Sequence, residues 1–182
     1  ERDPQAPAVV AGGVSTTRGE VNRRANQLAR ELVSRGVRPD DVVALLTPRS
    51  LEWVIGMIAA WKVGAAYSPF DQKWGIERIT GLVDDSGTRA VVATRSWSGL
   101  TGAPIGNAAL DDPIVLDDPE TVRHLASLDD TDFPHDPWSD EHAGKRLGHV
   151  ISTSGSTGRP KPTMVPMLGL SNNYQSYQAT SG

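Results

Sequence analysis

The sequence predicts an α/β fold: a parallel sheet with flanking helices. Three observations point there. Asp41-Val42-Val43-Ala44-Leu45-Leu46-Thr47 is a continuous apolar run, the pattern of a strand buried on both faces. Two further β-prone runs follow, Ala65–Phe70 and Arg89–Thr94, and segments with apolar residues at helical spacing separate the three. The connections are short, and strand–helix alternation of this kind builds parallel sheets. Right-handed crossovers would place the helices over the sheet faces, with ligands gathering at the carboxyl ends of the strands.

Ahead of that core, Ala8–Ala11 and Val14–Thr16 flank Gly12-Gly13 and read as a hairpin. Thr17-Arg18-Gly19-Glu20 fits a capping box. Val21, Ala25, Leu28, Ala29 and Leu32 then continue at helical spacing to a stop at Gly36, while Arg23, Arg24, Arg30 and Glu31 lie mostly off that stripe, the arginines being expected on a solvated face. After the first core strand Ser50 is the expected N-cap of a well-buried helix from Leu51 to Val63, ended by Gly64. Ile76, Ile79, Leu82 and Val83 mark a third helix, closed by Ser86-Gly87. Residues 95–148 form a loop-rich connecting region, with Ile114–Leu116 as a short strand and Thr121–Leu128 as a short helix. Its acidic cluster (Asp129, Asp130, Asp132, Asp136) lacks the glycine and terminal glutamate of an EF-hand loop and reads as a solvated surface loop. A strand resumes over Gly148–Thr153, another spans Thr163–Val165, and a helix begins at Met167.

Composition narrows the function classes. The 182 residues suit one domain or a large piece of one, with 38% hydrophobic and 22% charged residues. A net charge of −4 and the lack of a basic stripe argue against nucleic-acid binding. Absence of cysteine excludes disulfides, thiolate catalysis and Cys-based zinc sites. His124, His135, His142 and His149 show no H-E-x-x-H spacing, so no metal site is expected on them. No apolar run approaches the roughly 18 residues of a membrane span, and no secretory leader opens these residues, so a soluble cytoplasmic protein is expected.

The stretch richest in chemistry is Thr153-Ser154-Gly155-Ser156-Thr157-Gly158-Arg159-Pro160-Lys161. Hydroxyls, glycine-permitted backbone approach and a lysine can together cradle phosphate oxygens. The same residue types also make ordinary turns. The string is not a Walker A loop: counted from Gly155, the second glycine would fall at Pro160, and Lys161 precedes Pro162. Nor is it a dinucleotide fingerprint, since no G-x-G-x-x-G follows a strand.

This stretch resembles the T-S-G-S-T-G-x-P-K-G phosphate loop of adenylate-forming enzymes. Two other stretches agree, in the right order. Lys62-Val63-Gly64-Ala65-Ala66-Tyr67-Ser68-Pro69-Phe70-Asp71, with Glu77-Arg78, is similar to the K-x-G-A-A-Y-x-P-x-D…E-R motif. Glu20–Ala29 is similar to E-L-N-x-R-A-N-x-L-A. These two favour the adenylation domains of nonribosomal peptide synthetases, and the resemblance runs over essentially the whole chain. It implies the front portion of the large N-terminal domain of that fold, with residues 1–182 a partial adenylation domain. It implies amino-acid activation: the substrate carboxylate attacks the α-phosphate of ATP, and a thiol on a peptidyl carrier protein, its phosphopantetheine, then takes the acyl group. Thr153, Ser154, Ser156 and Thr157 would donate hydroxyls, Gly155 and Gly158 would admit the β- and γ-phosphates, Lys161 would supply charge, and Mg²⁺ would bridge the phosphates. Lys62, Tyr67 and Asp71 are expected to be structural, at a strand–helix junction beside the site.

The string also departs from the family. Pro162 stands where glycine is usual, Ser152 where tyrosine is common, and Pro166-Met167 where Glu-His is frequent. The downstream motifs that hold the substrate amine, adenine and ribose, the hinge, and the C-terminal lysine have no counterpart here. The expectation is therefore an incomplete active site, inactive as an isolated segment and completed by the rest of the adenylation domain, with apolar surface on the Val150 strand and the last helix favouring association. The alternatives are a segment of an acyl-CoA or aryl-acid ligase, and a non-catalytic remnant that acts in docking.

Overall fold

The computed structural model describes residues 3–71, 73–97, 107–133, 143–153 and 161–181. Strands β1 (Pro7–Ala11) and β2 (Val14–Thr17) form an antiparallel hairpin, turned by Gly12 and Gly13 at positive φ. Helix α1 (Arg18–Ser34) starts where Thr17 Oγ1 accepts from the Glu20 amide at 3.2 Å. Only half of the expected capping box forms, because the Glu20 carboxylate takes Arg23 instead.

The main sheet holds six strands in the order β6-β5-β3-β4-β7-β8. They are β3 (Val42–Leu46), β4 (Ala66–Pro69), β5 (Thr88–Ala93), β6 (Ile114–Val115), β7 (Leu147–Thr153) and β8 (Lys161–Pro166). All neighbours are parallel except β8, which runs antiparallel to β7 along one edge. Every residue of β3 is buried, and the period-two alternation of a strand sends its side chains to two cores. Val43 and Leu45 pack under α1 and α2 (Leu51–Lys62) with Leu28, Leu32, Ile55 and Ala59, and Leu125 of α5 (Pro119–Ala126) joins that layer. Ala44 and Leu46 pack under α3 (Ile76–Ser86) and α4 (Ala108–Asp111) with Ile79, Leu82, Val83 and Leu110. Gly87 ends α3 in the left-handed conformation, φ 64°, which glycine adopts without a Cβ penalty. Helix α6 (Met167–Ser181) follows β8.

Two expectations, on Ser50 and on the acidic segment, are corrected. Ser50 precedes α2 with extended backbone, but its side chain makes no cap bond and its Oγ is buried without a partner. Val150 itself is fully buried, packed with Val42 and Ala66, and the apolar surface expected on its strand and on the last helix is carried by Ile151 of β7 and Leu168 of α6, with Met164 of β8 beside them. The acidic segment is not merely solvated. Asn22 and Asn26 of α1 donate to Asp132 Oδ1 at 2.7 and 3.1 Å, and Asn26 also donates to the Asp130 carbonyl at 2.8 Å. Arg30 Nη2 bonds Asp129 at 2.7 Å, Arg30 Nη1 bonds the Thr131 carbonyl at 2.9 Å, and the guanidinium lies over the Phe133 ring. Lys62 completes the seam, 3.6 Å from Asp132. Two motifs that are distant in sequence thus meet at one aspartate, whose carboxyl is held below its ordinary range by the Asn22 and Asn26 amides and the Lys62 charge. Asp136 lies outside the described residues.

Candidate functional site

The phosphate-loop candidates sit on the β7–β8 hairpin. Thr153 is the last residue of β7 and Lys161 the first of β8, and the two are cross-strand partners. Thr153 Oγ1 lies 3.5 Å from the Lys161 carbonyl and 3.4 Å from Thr163 Oγ1. Both are exposed, and among the described residues Lys161 makes no ion pair. Ser154, Gly155, Ser156, Thr157 and Gly158 lie outside the described residues. Pro162 pairs with Ser152 on the outermost strand of the sheet. An edge strand accommodates a residue without an N–H, which gives this proline a structural rationale.

The hairpin is placed by its neighbours. Strand β7 runs beside β4 with Tyr67 opposite His149, so its carboxyl end points the same way as those of β3 and β4. Ser68 Oγ donates to the Val150 carbonyl at 3.0 Å, and Trp61 Nε1 donates to the Gly148 carbonyl at 2.8 Å. The Tyr67 ring is met edge-on by Trp53 and Trp61 at centroid distances of 5.8 and 5.6 Å, and His149 lies 5.8 Å away on β7. Burial raises the Tyr67 phenol and lowers the His149 imidazole, so the histidine is neutral at pH 7. Its Nδ1 is buried without a partner. At the start of β7, Asp40 Oδ1 accepts from the Leu147 amide at 3.0 Å, with its backbone at φ 68°. A Cβ on Gly148 would stand 2.5 Å from Leu170 Cδ1 and 3.2 Å from Met167 Cα, so α6 crosses β7 at a distance only glycine allows.

Of the second motif, Tyr67 packs in the aromatic cluster, Lys62 faces Asp132, and Asp71 Oδ1 caps the Lys73 amide at 2.9 Å. Each holds backbone in place, at the carboxyl end of β4 or behind it. The aromatic cluster around Tyr67 and the Asp132 seam went unforeseen in the sequence; the signal available was the pairing of polar motif residues with buried positions, such as fully buried Asn26. Among the described residues no group of His, Asp and Glu gathers as a metal site, and no helix is long and apolar enough to cross a membrane.

The family model for AMP-binding enzymes matches residues 1–181. The chain belongs to the AMP-binding enzyme family. It is 40% identical over 171 residues to CymA of Salinispora arenicola (strain CNS-205), covering 92% of this chain and 2% of that protein. It is 37% identical over 163 residues to the dimodular nonribosomal peptide synthase of Bacillus subtilis (strain 168), covering 90% of this chain and 7% of that one. The fold matches the crystal structure of ATP-bound MatB from Rhodopseudomonas palustris with a TM-score of 0.76 at 24% identity, over 94% of this chain and 34% of that chain. The chain thus spans a small part of each protein it matches, and it shares the fold of the part of MatB that it covers.

Proposed function

We propose that this chain is part of an ATP-dependent, amino-acid-adenylating ligase of the nonribosomal peptide synthetase type, to which it supplies the phosphate-binding loop. The observation that carries the reading is the β7–β8 hairpin, which sets Thr153 beside Lys161 at the carboxyl edge of the sheet and closes residues 154–160 between them. Ligands of open α/β sheets gather at that edge. Similarity to a nonribosomal peptide synthase supports the choice of acid.

In this reading a substrate carboxylate oxygen attacks the α-phosphorus of ATP, the bond to the β-phosphate oxygen breaks, and pyrophosphate leaves. The chain's contribution is positioning and charge neutralisation of the leaving group. Thr153, Ser154, Ser156 and Thr157 donate to phosphate oxygens, Gly155 and Gly158 let backbone amides approach, and Lys161 neutralises charge. Mg²⁺ bound with the nucleotide would add to that neutralisation. A phosphopantetheine thiol of a carrier partner then attacks the acyl carbon of the adenylate, the thioester forms and AMP leaves, and the remaining adenine and substrate contacts come from the rest of the adenylation domain.

The test is ATP–pyrophosphate exchange by the chain joined to the rest of its adenylation domain, across amino, aryl and fatty acids. Exchange driven by an amino acid, and cut about a hundredfold by Lys161→Ala, is the expected result. Preference for aryl or fatty acids would move the chain to the other ligases, and exchange indifferent to Lys161→Ala would remove the lysine from the site.

A further inference from the structure

Strand β7 carries one post of the β7–β8 loop, and its attachment to the core of the sheet is short. Strands β3 and β4 pair from Val42–Ala66 to Leu45–Pro69, and β7 and β8 from Leu147–Pro166 to Thr153–Lys161. Between these two ladders, β4 and β7 pair among the described residues at Tyr67–His149 alone. The cause lies in β4. Ala66 and Phe70 donate their amides to the carbonyls of Asp41 and Leu45, at 2.8 and 3.1 Å, on the β3 side. Successive amides of a strand point to opposite sides, so positions 67 and 69 face β7. Residue 69 is proline, which has no N–H to give, and the parallel ladder stops there.

Ser68 supplies the donor that Pro69 lacks. Its hydroxyl donates to the Val150 carbonyl at 3.0 Å. Ser68 is 1% exposed and Val150 is fully buried, so water does not compete for that carbonyl. Earlier on β7, Trp61 Nε1 holds the Gly148 carbonyl. Beyond Val150 the hydrogen bonds of β7 among the described residues run to β8, the outer strand of the sheet, which carries Pro162 and Pro166. The Ser68 bond is thus the last from the core before Thr153. A strand rises about 3.3 Å per residue, which puts that bond about 10 Å from the start of the loop. In the Y-x-P portion of the second motif the proline is fixed and the position before it is open; here that open position holds the hydroxyl.

We propose that Ser68 is a positioning residue for the phosphate loop: by standing in for the missing amide of Pro69, it fixes where β7 delivers Thr153 to the nucleotide. The inference rests on the adenylating reading. Ser68 acts through the Val150 carbonyl and not on the substrate. Its loss therefore impairs the use of ATP and spares the acid.

The test uses the chain joined to the rest of its adenylation domain. In ATP–pyrophosphate exchange, Ser68→Ala should lower kcat/KM for ATP about tenfold, the effect of one buried carbonyl left without its donor, with the KM for the amino acid within about twofold. Ser86→Ala controls for stability alone. It deletes another buried serine hydroxyl, which bonds the Val83 carbonyl at 3.2 Å in α3, and should leave kcat/KM for ATP unchanged. Hydrogen–deuterium exchange reads the same claim without activity: in Ser68→Ala the amides of β7 and β8 should exchange faster while those of β3 and β5 keep their rates. The proposal is overturned by unchanged ATP parameters in Ser68→Ala, by an equal loss in Ser86→Ala, or by deuterium uptake that rises as much in β3 and β5. Absence of pyrophosphate exchange with any acid in the unaltered protein would instead refute the adenylating reading, and the ATP role of Ser68 with it, before any variant is compared.

Discussion

Replacing Asn26 by alanine tests the seam between α1 and the acidic segment. The side chain is fully buried and donates twice, to the Asp130 carbonyl at 2.8 Å and to Asp132 Oδ1 at 3.1 Å. A neutral bond contributes about 1 kcal/mol and one to a charged group about 1.5–3 kcal/mol. The second value is reduced here, because the Asp132 side chain is 75% exposed and keeps Asn22, so about 1 kcal/mol is appropriate. Against these losses, Asn26 Oδ1 is itself buried with no partner, and alanine removes that penalty of about 1 kcal/mol. The net expectation is a destabilisation of about 1 kcal/mol in urea unfolding, or roughly 2–4 °C in Tm. A double-mutant cycle with Asp132→Ala should return a coupling of about 1 kcal/mol. Asn26→Asp, of the same size, should cost more than alanine, because it sets a carboxylate against Asp132. A coupling below about 0.3 kcal/mol, or a silent Asn26→Asp, would mean that Asn26 only fills space, and the seam would lose its assigned role.

Gly148→Ala drives a Cβ into Leu170 and Met167 and should cost about 1–3 kcal/mol by overpacking; an unchanged melting temperature would show that α6 does not sit against β7 as described. Burial holds the His149 imidazole below its ordinary 6.5. The unfolded chain therefore takes up a proton first, so this contribution to stability is whole above pH 6.5 and falls as the pH drops through it; an NMR titration midpoint at or above 6.5 would contradict this. Glu31 behaves differently. Its burial raises the carboxyl, but bonds from Arg35 at 2.7 Å and His124 at 2.8 Å outweigh burial and bring it below the ordinary 4.5. Its stabilisation is present above pH 4.5 and lost as the pH falls through the depressed value, and Arg35→Met should flatten the acid limb of urea midpoint against pH.

Much of the fold was legible because burial writes periodicity into sequence. The all-apolar β3 run, the helical stripe of Val21 to Leu32 and the stop at Gly87 each carry a local signature. The Asp132 seam carries none: its donors lie about a hundred residues from their acceptors, and Asn, Arg and Asp in a row read as solvated until the fold brings them together. Ser50 takes the expected N-cap position but makes no cap bond for a related reason, since N-cap preference says which residue can turn its hydroxyl inward, not where packing leaves it. The apolar surface expected on the Val150 strand falls on Ile151, while Val150 itself is buried with Val42 and Ala66, a division that the unbroken apolar run does not announce. The phosphate-loop string was legible as a motif, and the fold adds where its two ends stand.

Those two ends have a thermodynamic consequence. Thr153 and Lys161 are neighbours across an antiparallel ladder that continues through Leu147 and Pro166, so the entropy of joining the ends of residues 154–160 is lost when the hairpin folds, not when an anion arrives. A phosphate bound there, as proposed, would meet two ends that the ladder already holds. The closure term grows slowly with length, so that doubling the span costs only about 0.6 kcal/mol. Folding alone would tolerate a loop of many lengths here, and any narrow limit on its length would have to come from the ligand.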